Sequence, residues 1–195
     1  AFAGQTRMNG VQTTTPIQSN IATTALVAPW DITNLPGGRL IITEKAGTMR
    51  IVTTSGTVSN AITGIPAVNT GNQGGLLGLC IDPLFSSNRM VYWIFSENVP
   101  GGTITSVAKG RLSDNETTIE NTTVIYRANP AANSNAQYGG RILFDATGNL
   151  LVSSGERSNT STRPLAQSVT TALGKIIRIT TTGTPATGNP TFTGT

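Results

Sequence analysis

The hydrophobic pattern of the chain rises and falls three times. Residues 35–44 (Leu-Pro-Gly-Gly-Arg-Leu-Ile-Ile-Thr-Glu), 81–97 (Ile-Asp-Pro-Leu-Phe-Ser-Ser-Asn-Arg-Met-Val-Tyr-Trp-Ile-Phe-Ser-Glu) and 144–156 (Phe-Asp-Ala-Thr-Gly-Asn-Leu-Leu-Val-Ser-Ser-Gly-Glu) share one plan. Each runs from an apolar residue through a turn rich in Pro, Gly, Asp or Asn into a strongly apolar strand that ends at a glutamate. Such turns join two strands antiparallel, as short hairpins require. The pattern predicts strand cores over residues 40–43, 90–95 and 150–153, followed each time by a further strand, over 49–53, 106–112 and 175–180. Glu44, Glu97 and Glu156 recur 53 and 59 residues apart. A repeat of roughly 50–60 residues with several strands per unit marks a propeller blade. The expected fold is all-β: a β-propeller of four-stranded antiparallel blades, about three of them in this chain.

Helix signals are poor. Residues 164–173 carry β-branched Val169, Thr170 and Thr171 and read as a loop, as do residues 129–137 with Pro130. The organisation is an N-terminal segment (1–16), a partial propeller (17–180), and a Thr/Gly/Pro-rich tail or linker (181–195). Closed propellers hold about 4–8 blades, and a three-blade fan leaves an apolar face open at each end. The repeat therefore calls for missing blades, or for another chain, to cover its open ends.

Composition supports the strand reading. Only 11% of residues are charged, so threonine, serine and asparagine supply most of the polarity, and 22 glycines suit tight turns. The net charge of +4 comes from 13 scattered basic residues, with no basic run interleaved with aromatics, which argues against nucleic acid as a partner. No apolar stretch approaches the ~18 residues of a membrane span. The single cysteine, Cys80, lies in an apolar run, reads as a buried core thiol and cannot form an internal disulfide. Low charge, abundant threonine and a signal-cleavage-like Ala1-Phe2-Ala3 point to a secreted or periplasmic protein. Sequons at Asn115, Asn121 and Asn159 arise readily by chance in so threonine-rich a chain. Trp30 and Trp93, in or beside strand signatures, read as packing anchors.

Most catalytic constellations are excluded by one fact: the chain has no histidine. Ser-His-Asp and Cys-His arrangements need one, and zinc would want Cys and His clusters. The glycine-rich residues 71–78 precede a strand and do not open a helix, so they form no dinucleotide fingerprint. The residues themselves indicate no metal site.

Several motifs follow one another in an order that resembles a known family. They are Pro29-Trp-Asp-Ile-Thr-Asn-Leu-Pro-Gly-Gly-Arg-Leu-Ile-Ile-Thr-Glu-Lys-Ala-Gly-Thr-Met-Arg-Ile-Val52, Gln73-Gly-Gly-Leu-Leu-Gly-Leu-Cys-Ile-Asp-Pro83 and Asn88-Arg-Met-Val-Tyr92, then Lys109-Gly-Arg-Leu-Ser113, Gly139-Gly-Arg-Ile-Leu-Phe-Asp145, Gly155-Glu-Arg157 and Leu173-Gly-Lys-Ile-Ile-Arg-Ile179. Over residues 17–180 the chain resembles the N-terminal half of the glucose/sorbosone dehydrogenase family, soluble aldose dehydrogenases dependent on pyrroloquinoline quinone (PQQ). The resemblance implies a six-bladed propeller, PQQ and calcium at the centre of one face, and oxidation of an aldose C1 hydroxyl with a histidine as general base. Gln73 matches a glutamine that contacts the cofactor. The family's arginine–asparagine pair and calcium-binding turn belong to later blades.

The chain departs from the family at the base. Aligning on Gly139-Gly140-Arg141 places Gln137 at the histidine position, and a carboxamide cannot accept a proton near neutral pH. Tyr138 is adjacent, but a phenol is protonated there. Glu156 is expected to accept turn N–H groups, and its recurrence with Glu44 and Glu97 points to architecture. Arg141 and Arg157 read as blade-locking side chains. Two functions stay open: a sugar dehydrogenase-like protein impaired in catalysis, and a non-catalytic extracellular binding or assembly module. Either could take a sugar or another small polar ligand.

Overall fold

The computed structural model describes residues 14–192. Residues 1–13 and 193–195, which include Ala1-Phe2-Ala3, most of the N-terminal segment and the end of the tail, lie outside the described residues. Ten strands form three antiparallel sheets. The first holds β1 (Pro29–Asn34), β2 (Leu40–Glu44) and β3 (Thr48–Val52). The second holds β4 (Leu76–Ile81), β5 (Met90–Val99), β6 (Gly102–Leu112) and β7 (Ile119–Arg127). The third holds β8 (Gly139–Phe144), β9 (Leu150–Ser154) and β10 (Lys175–Ile179).

The three sequence repeats are the β1–β2, β4–β5 and β8–β9 hairpins, and the predicted cores fall within β2, β5 and β9. Only the middle sheet has the expected four strands. In the first sheet isolated bridges, Met49 to Ile62 and Val52 to Val58, stand in the fourth position. In the third, the stretch after Thr180 turns back so that Pro185 bridges Ile179 and Ala186 is buried. A single helical turn, α1 (Phe85–Asn88), sits inside the second repeat's turn, and a 3-10 turn (Arg163–Gln167) overlaps the start of the expected loop 164–173.

β5 shows how the sheets stack. Its side chains alternate between faces, as strand geometry dictates. Val91, Trp93 and Phe95 pack with Ile41, Met49 and Ile51 of the first sheet. Tyr92 and Ile94 pack with Ile142, Leu150 and Val152 of the third. The middle sheet is thus buried on both faces, and its run of apolar residues is the sequence mark of that burial. β4 touches both β1 and β8, so the sheets fan outward from their first strands. The approach is close at Gly78, where a Cβ would lie 2.1 Å from the Gly140 carbonyl oxygen.

Cys80 is buried as expected, and burial pushes its thiol up to about 12. Trp93 is fully buried. Trp30 corrects the sequence reading: it is 46% exposed, because β1 turns Asp31 inward and Trp30 and Ile32 outward. Among the described residues no helix is long and apolar enough to cross a membrane. At the end of the sheets where the hairpin turns lie, Glu116 accepts from Arg39 (2.9 Å to Nη2) and Arg89 (3.2 Å) and clamps the first sheet to the second.

Candidate functional site

Each leading strand starts beside the end of its hairpin partner, Pro29 opposite Glu44, Leu76 opposite Phe95 and Gly139 opposite Ser154. The loops before β4 and β8 therefore emerge at one end of the fan. There the backbone N–H of Gln137 donates to Oε1 of Gln73 at 2.8 Å, and the N–H of Gln73 donates to the Asn135 carbonyl at 3.0 Å. Both glutamines are exposed. The two positions singled out in the sequence thus meet at one mouth.

Arg157 builds that mouth from beneath. It is wholly buried, and its guanidinium donates to the carbonyls of Ala136 (3.0 Å), Thr103 (2.8 Å) and Ser134, and to the Thr103 hydroxyl (2.7 Å). It also stacks 3.8 Å above the Tyr138 ring. Burial lowers its pKa, the electrostatic cost of taking a cation out of water, and carbonyl dipoles and the ring face offset that cost. Its own N–H donates to the Gln137 carbonyl at 3.2 Å. Gly155 permits this approach, since a Cβ there would lie 1.9 Å from the Gln137 carbonyl oxygen. The Gly155-Glu156-Arg157 motif is therefore the cradle of the Gln137 loop. Gln137, Arg157 and Ser158 all take positive φ (45°, 73° and 52°), so strained backbone is concentrated at this point.

The glutamates have separate structural partners. Glu44 accepts the Val27 N–H (2.7 Å), the Thr48 hydroxyl (2.6 Å) and Arg50 Nε (3.1 Å). Glu97 accepts the Ser106 hydroxyl and a bidentate Arg127. Glu156 accepts the Ser158 N–H at 2.9 Å, the turn bond its sequence position suggests. Tyr138 is buried with its hydroxyl on Thr103, which takes it out of the mouth.

Sequence reasoning missed Asp31. Its carboxylate accepts the Leu79 N–H (2.9 Å) on one oxygen and the Arg141 guanidinium on the other, so β1, β4 and β8 meet at one carboxylate. The signal was a charge inside an apolar strand, which demands a partner.

With Gln73 Oε1 engaged by Gln137, the Gln73 Nε2 amide remains to donate to a ligand oxygen. A calcium cage is not built from these side chains: among the described residues no group of three or more His, Cys, Asp or Glu could hold a metal ion.

Known proteins share this arrangement of chain. The glucose/sorbosone dehydrogenase family model matches residues 26–195. Aldose sugar dehydrogenase YliI of Escherichia coli K12 is 32% identical over 164 residues, which cover 83% of this chain and 43% of that protein. A solved glucose dehydrogenase aligns with a TM-score of 0.79 at 37% identity, covering 85% of this chain and 51% of its own. The PQQ-bound aldose sugar dehydrogenase of Streptomyces coelicolor aligns with a TM-score of 0.77 at 28% identity, over 88% and 50% of the two chains. The chain spans about half or less of the length of these relatives.

Proposed function

Since the chain belongs to the glucose/sorbosone dehydrogenase family, we propose that it is a sugar dehydrogenase-like propeller that binds PQQ at the Gln73–Gln137 mouth and is impaired in aldose oxidation. The observation that carries the reading is the Gln137 N–H bond to Gln73, because it joins the two positions that the resemblance assigns to cofactor and base. In this reading the three sheets are blades of a six-bladed ring, and relatives about twice as long as the matched stretch support that count. A secreted or periplasmic setting belongs to the same proposal, on the support of the low charge of the chain.

When bound, PQQ supplies the two-electron acceptor for a hydride from an aldose C1. Gln73 would hold it through Nε2. Gln137 can orient a substrate hydroxyl by hydrogen bonding, but its carboxamide cannot take the proton as hydride leaves. Loss of a general base costs about 10²–10⁴-fold in rate. No step is assigned to calcium, for which these residues offer no side-chain cage.

A second reading, a non-catalytic binding or assembly module, is favoured by the burial of the neighbouring Tyr138 hydroxyl against Thr103. Dye-linked glucose oxidation after incubation with PQQ and calcium separates the two, run beside a fluorescence titration with PQQ. The proposal expects saturable PQQ binding, turnover at background, and recovery of turnover in Gln137→His. Turnover by the unmodified protein would overturn the assigned impairment. Binding without recovery in Gln137→His would favour the module.

A further inference from the structure

We infer that Arg141 is an additional ligand-contacting residue, seated by Asp31 beside the first strands of the three sheets and offering its free donors to an anionic group. The identity of the ligand, a carboxylated quinone, rests on the reading proposed above; the presence of an anion site does not.

The geometry comes from three first strands at one level. The Cβ position of Gly78 on β4 lies 3.3 Å from the Arg141 Cα of β8, and the next residue, Leu79, donates its N–H to Asp31 of β1. Arg141 stands two residues into β8 from Gly139, about 7 Å along the strand from the Gln137 end. Asp31 is nearly buried, with a side chain 5% exposed, whereas that of Arg141 is 67% exposed. Each carboxylate oxygen already accepts one bond and the side chain is nearly buried, so Asp31 faces Leu79 and Arg141 and not a ligand. The guanidinium is engaged only through Nη1 among the described residues, which leaves Nε and Nη2 as donors in a fixed fork.

A buried carboxylate holding one corner of an exposed guanidinium is a positioning device. A free arginine loses rotamer freedom when it grips a ligand, and one already tethered loses less. Arg141 thus adds charged donors on the first strand of the third sheet to the Gln73 Nε2 amide at the mouth, with Asp31 as its buried counter-ion. Neutral sugars gain little from a guanidinium, but a ligand carboxylate gains a charge-assisted pair. The substrate-side consequence is selectivity for an anionic, acceptor-rich ring.

The test uses three probes on the unmodified protein and on Arg141→Gln, Arg141→Lys, Asp31→Asn and Gln73→Ala: PQQ and its trimethyl ester by fluorescence titration, and trimesate by the ¹⁵N shift of the arginine Nε–H groups. Arg141→Gln is expected to weaken PQQ binding roughly 10- to 100-fold, the range of a charge-assisted bond, and to leave the ester within about twofold. Arg141→Lys should recover part of the loss, Asp31→Asn should weaken PQQ less than Arg141→Gln, and trimesate should shift one Nε–H that vanishes in Arg141→Gln. Far-ultraviolet circular dichroism checks that each variant folds. Equal PQQ affinity in Arg141→Gln and the unmodified protein would overturn the inference while leaving the proposed function standing. Absence of PQQ binding with the trimesate shift intact would overturn the quinone reading and leave the anion site. Absence of both the trimesate shift and any Arg141 effect removes the site outright.

Discussion

The backbone N–H of Gln137 reaches Oε1 of Gln73 at 2.8 Å, a bond between the leading loops of two adjacent sheets and across 64 residues of sequence. It fixes the orientation of the Gln73 amide, since a carbonyl oxygen must face the N–H and the amide nitrogen must then face away. Gln137 pays for its place with a positive φ and is held on the other side by the Arg157 N–H. A mouth made of strained loop backbone needs rigid support.

Gly155→Ala should damage the mouth directly. The new methyl would sit 1.9 Å from the Gln137 carbonyl oxygen and 2.9 Å from the Gly139 nitrogen, both backbone atoms that cannot swing aside. A cost of about 1–3 kcal/mol is expected, the usual range for overpacking. Urea denaturation measures it, and amide exchange at Gln137 should quicken. An unchanged midpoint with unchanged exchange would show that the loop yields freely.

Cys80 should be inert in the native state. Burial is the main cause of its raised pKa, with the charges of Asp31 and Asp82 adding to it, and the value of about 12 leaves almost no thiolate at neutral pH. A thiol-reactive disulfide reagent should react stoichiometrically in urea and negligibly without it. Rapid native labelling would mean that the second and third sheets separate readily.

The sheet order was legible because it rests on alternation and turn chemistry, which are local. β2, β5 and β9 needed only an apolar run after a Pro, Gly or Asn turn. β7 was not legible: Thr, Asn and Glu fill its exposed face, and it is its antiparallel pairing with β6, with partly buried Val124, Ile125 and Tyr126 packed beneath, that makes it a strand. Of the site, Gln73 and Gln137 could be placed by motif order. Asp31 and Arg141 could not be joined, because a pair separated by 110 residues leaves no periodic trace. The exposure of Trp30 depends likewise on which face of β1 meets β4, which strand parity alone leaves undecided.

Acid should weaken the fold through its paired carboxylates. The hydrogen bond from Arg127 leads the forces that hold Glu97 below its ordinary 4.5, and that from Arg39 does so for Glu116. Burial pushes Glu44 upward, but Thr48, the Val27 N–H and Arg50 outweigh it and lower the net value. A carboxyl depressed in the folded state binds protons more weakly there than when unfolded. Its stabilisation is complete above the unfolded value and is lost as pH falls through the folded one. The urea midpoint should stay nearly flat from neutrality to about pH 5 and drop below about 4.5. Glu116→Gln should lower the neutral-pH midpoint and shrink the acid drop, and a profile that rises on acidification would contradict the assignment.

Arg157 offers the sharpest separation between a structural and a ligand-binding arginine. Arg157→Met keeps much of the volume and the stacking on Tyr138 but deletes every donor. The carbonyls of Ala136, Thr103 and Ser134 and the Thr103 hydroxyl would then lose buried partners. The Thr103 carbonyl keeps the Ala132 N–H, the Ser134 carbonyl the Thr103 hydroxyl and the Thr103 hydroxyl the Tyr138 O–H, so the Ala136 carbonyl alone is stranded. With lost bonds to a charged donor at about 1.5–3 kcal/mol each before relaxation, a loss of about 3–5 kcal/mol is expected. Arg157→Lys keeps the charge yet cannot reach a fan of four acceptors with one ammonium, and should recover less than half of it. Arg141→Gln should differ in degree: its guanidinium is largely in solvent, but the nearly buried Asp31 loses its counter-ion, so a smaller fall in the urea midpoint than in Arg157→Met should accompany the loss of PQQ affinity. Comparable destabilisation by Arg157→Met and Arg141→Gln would mean that both arginines serve the fold. A stable Arg157→Met protein would show instead that the Gln137 loop does not depend on the buried guanidinium, and the mouth would need another source of rigidity.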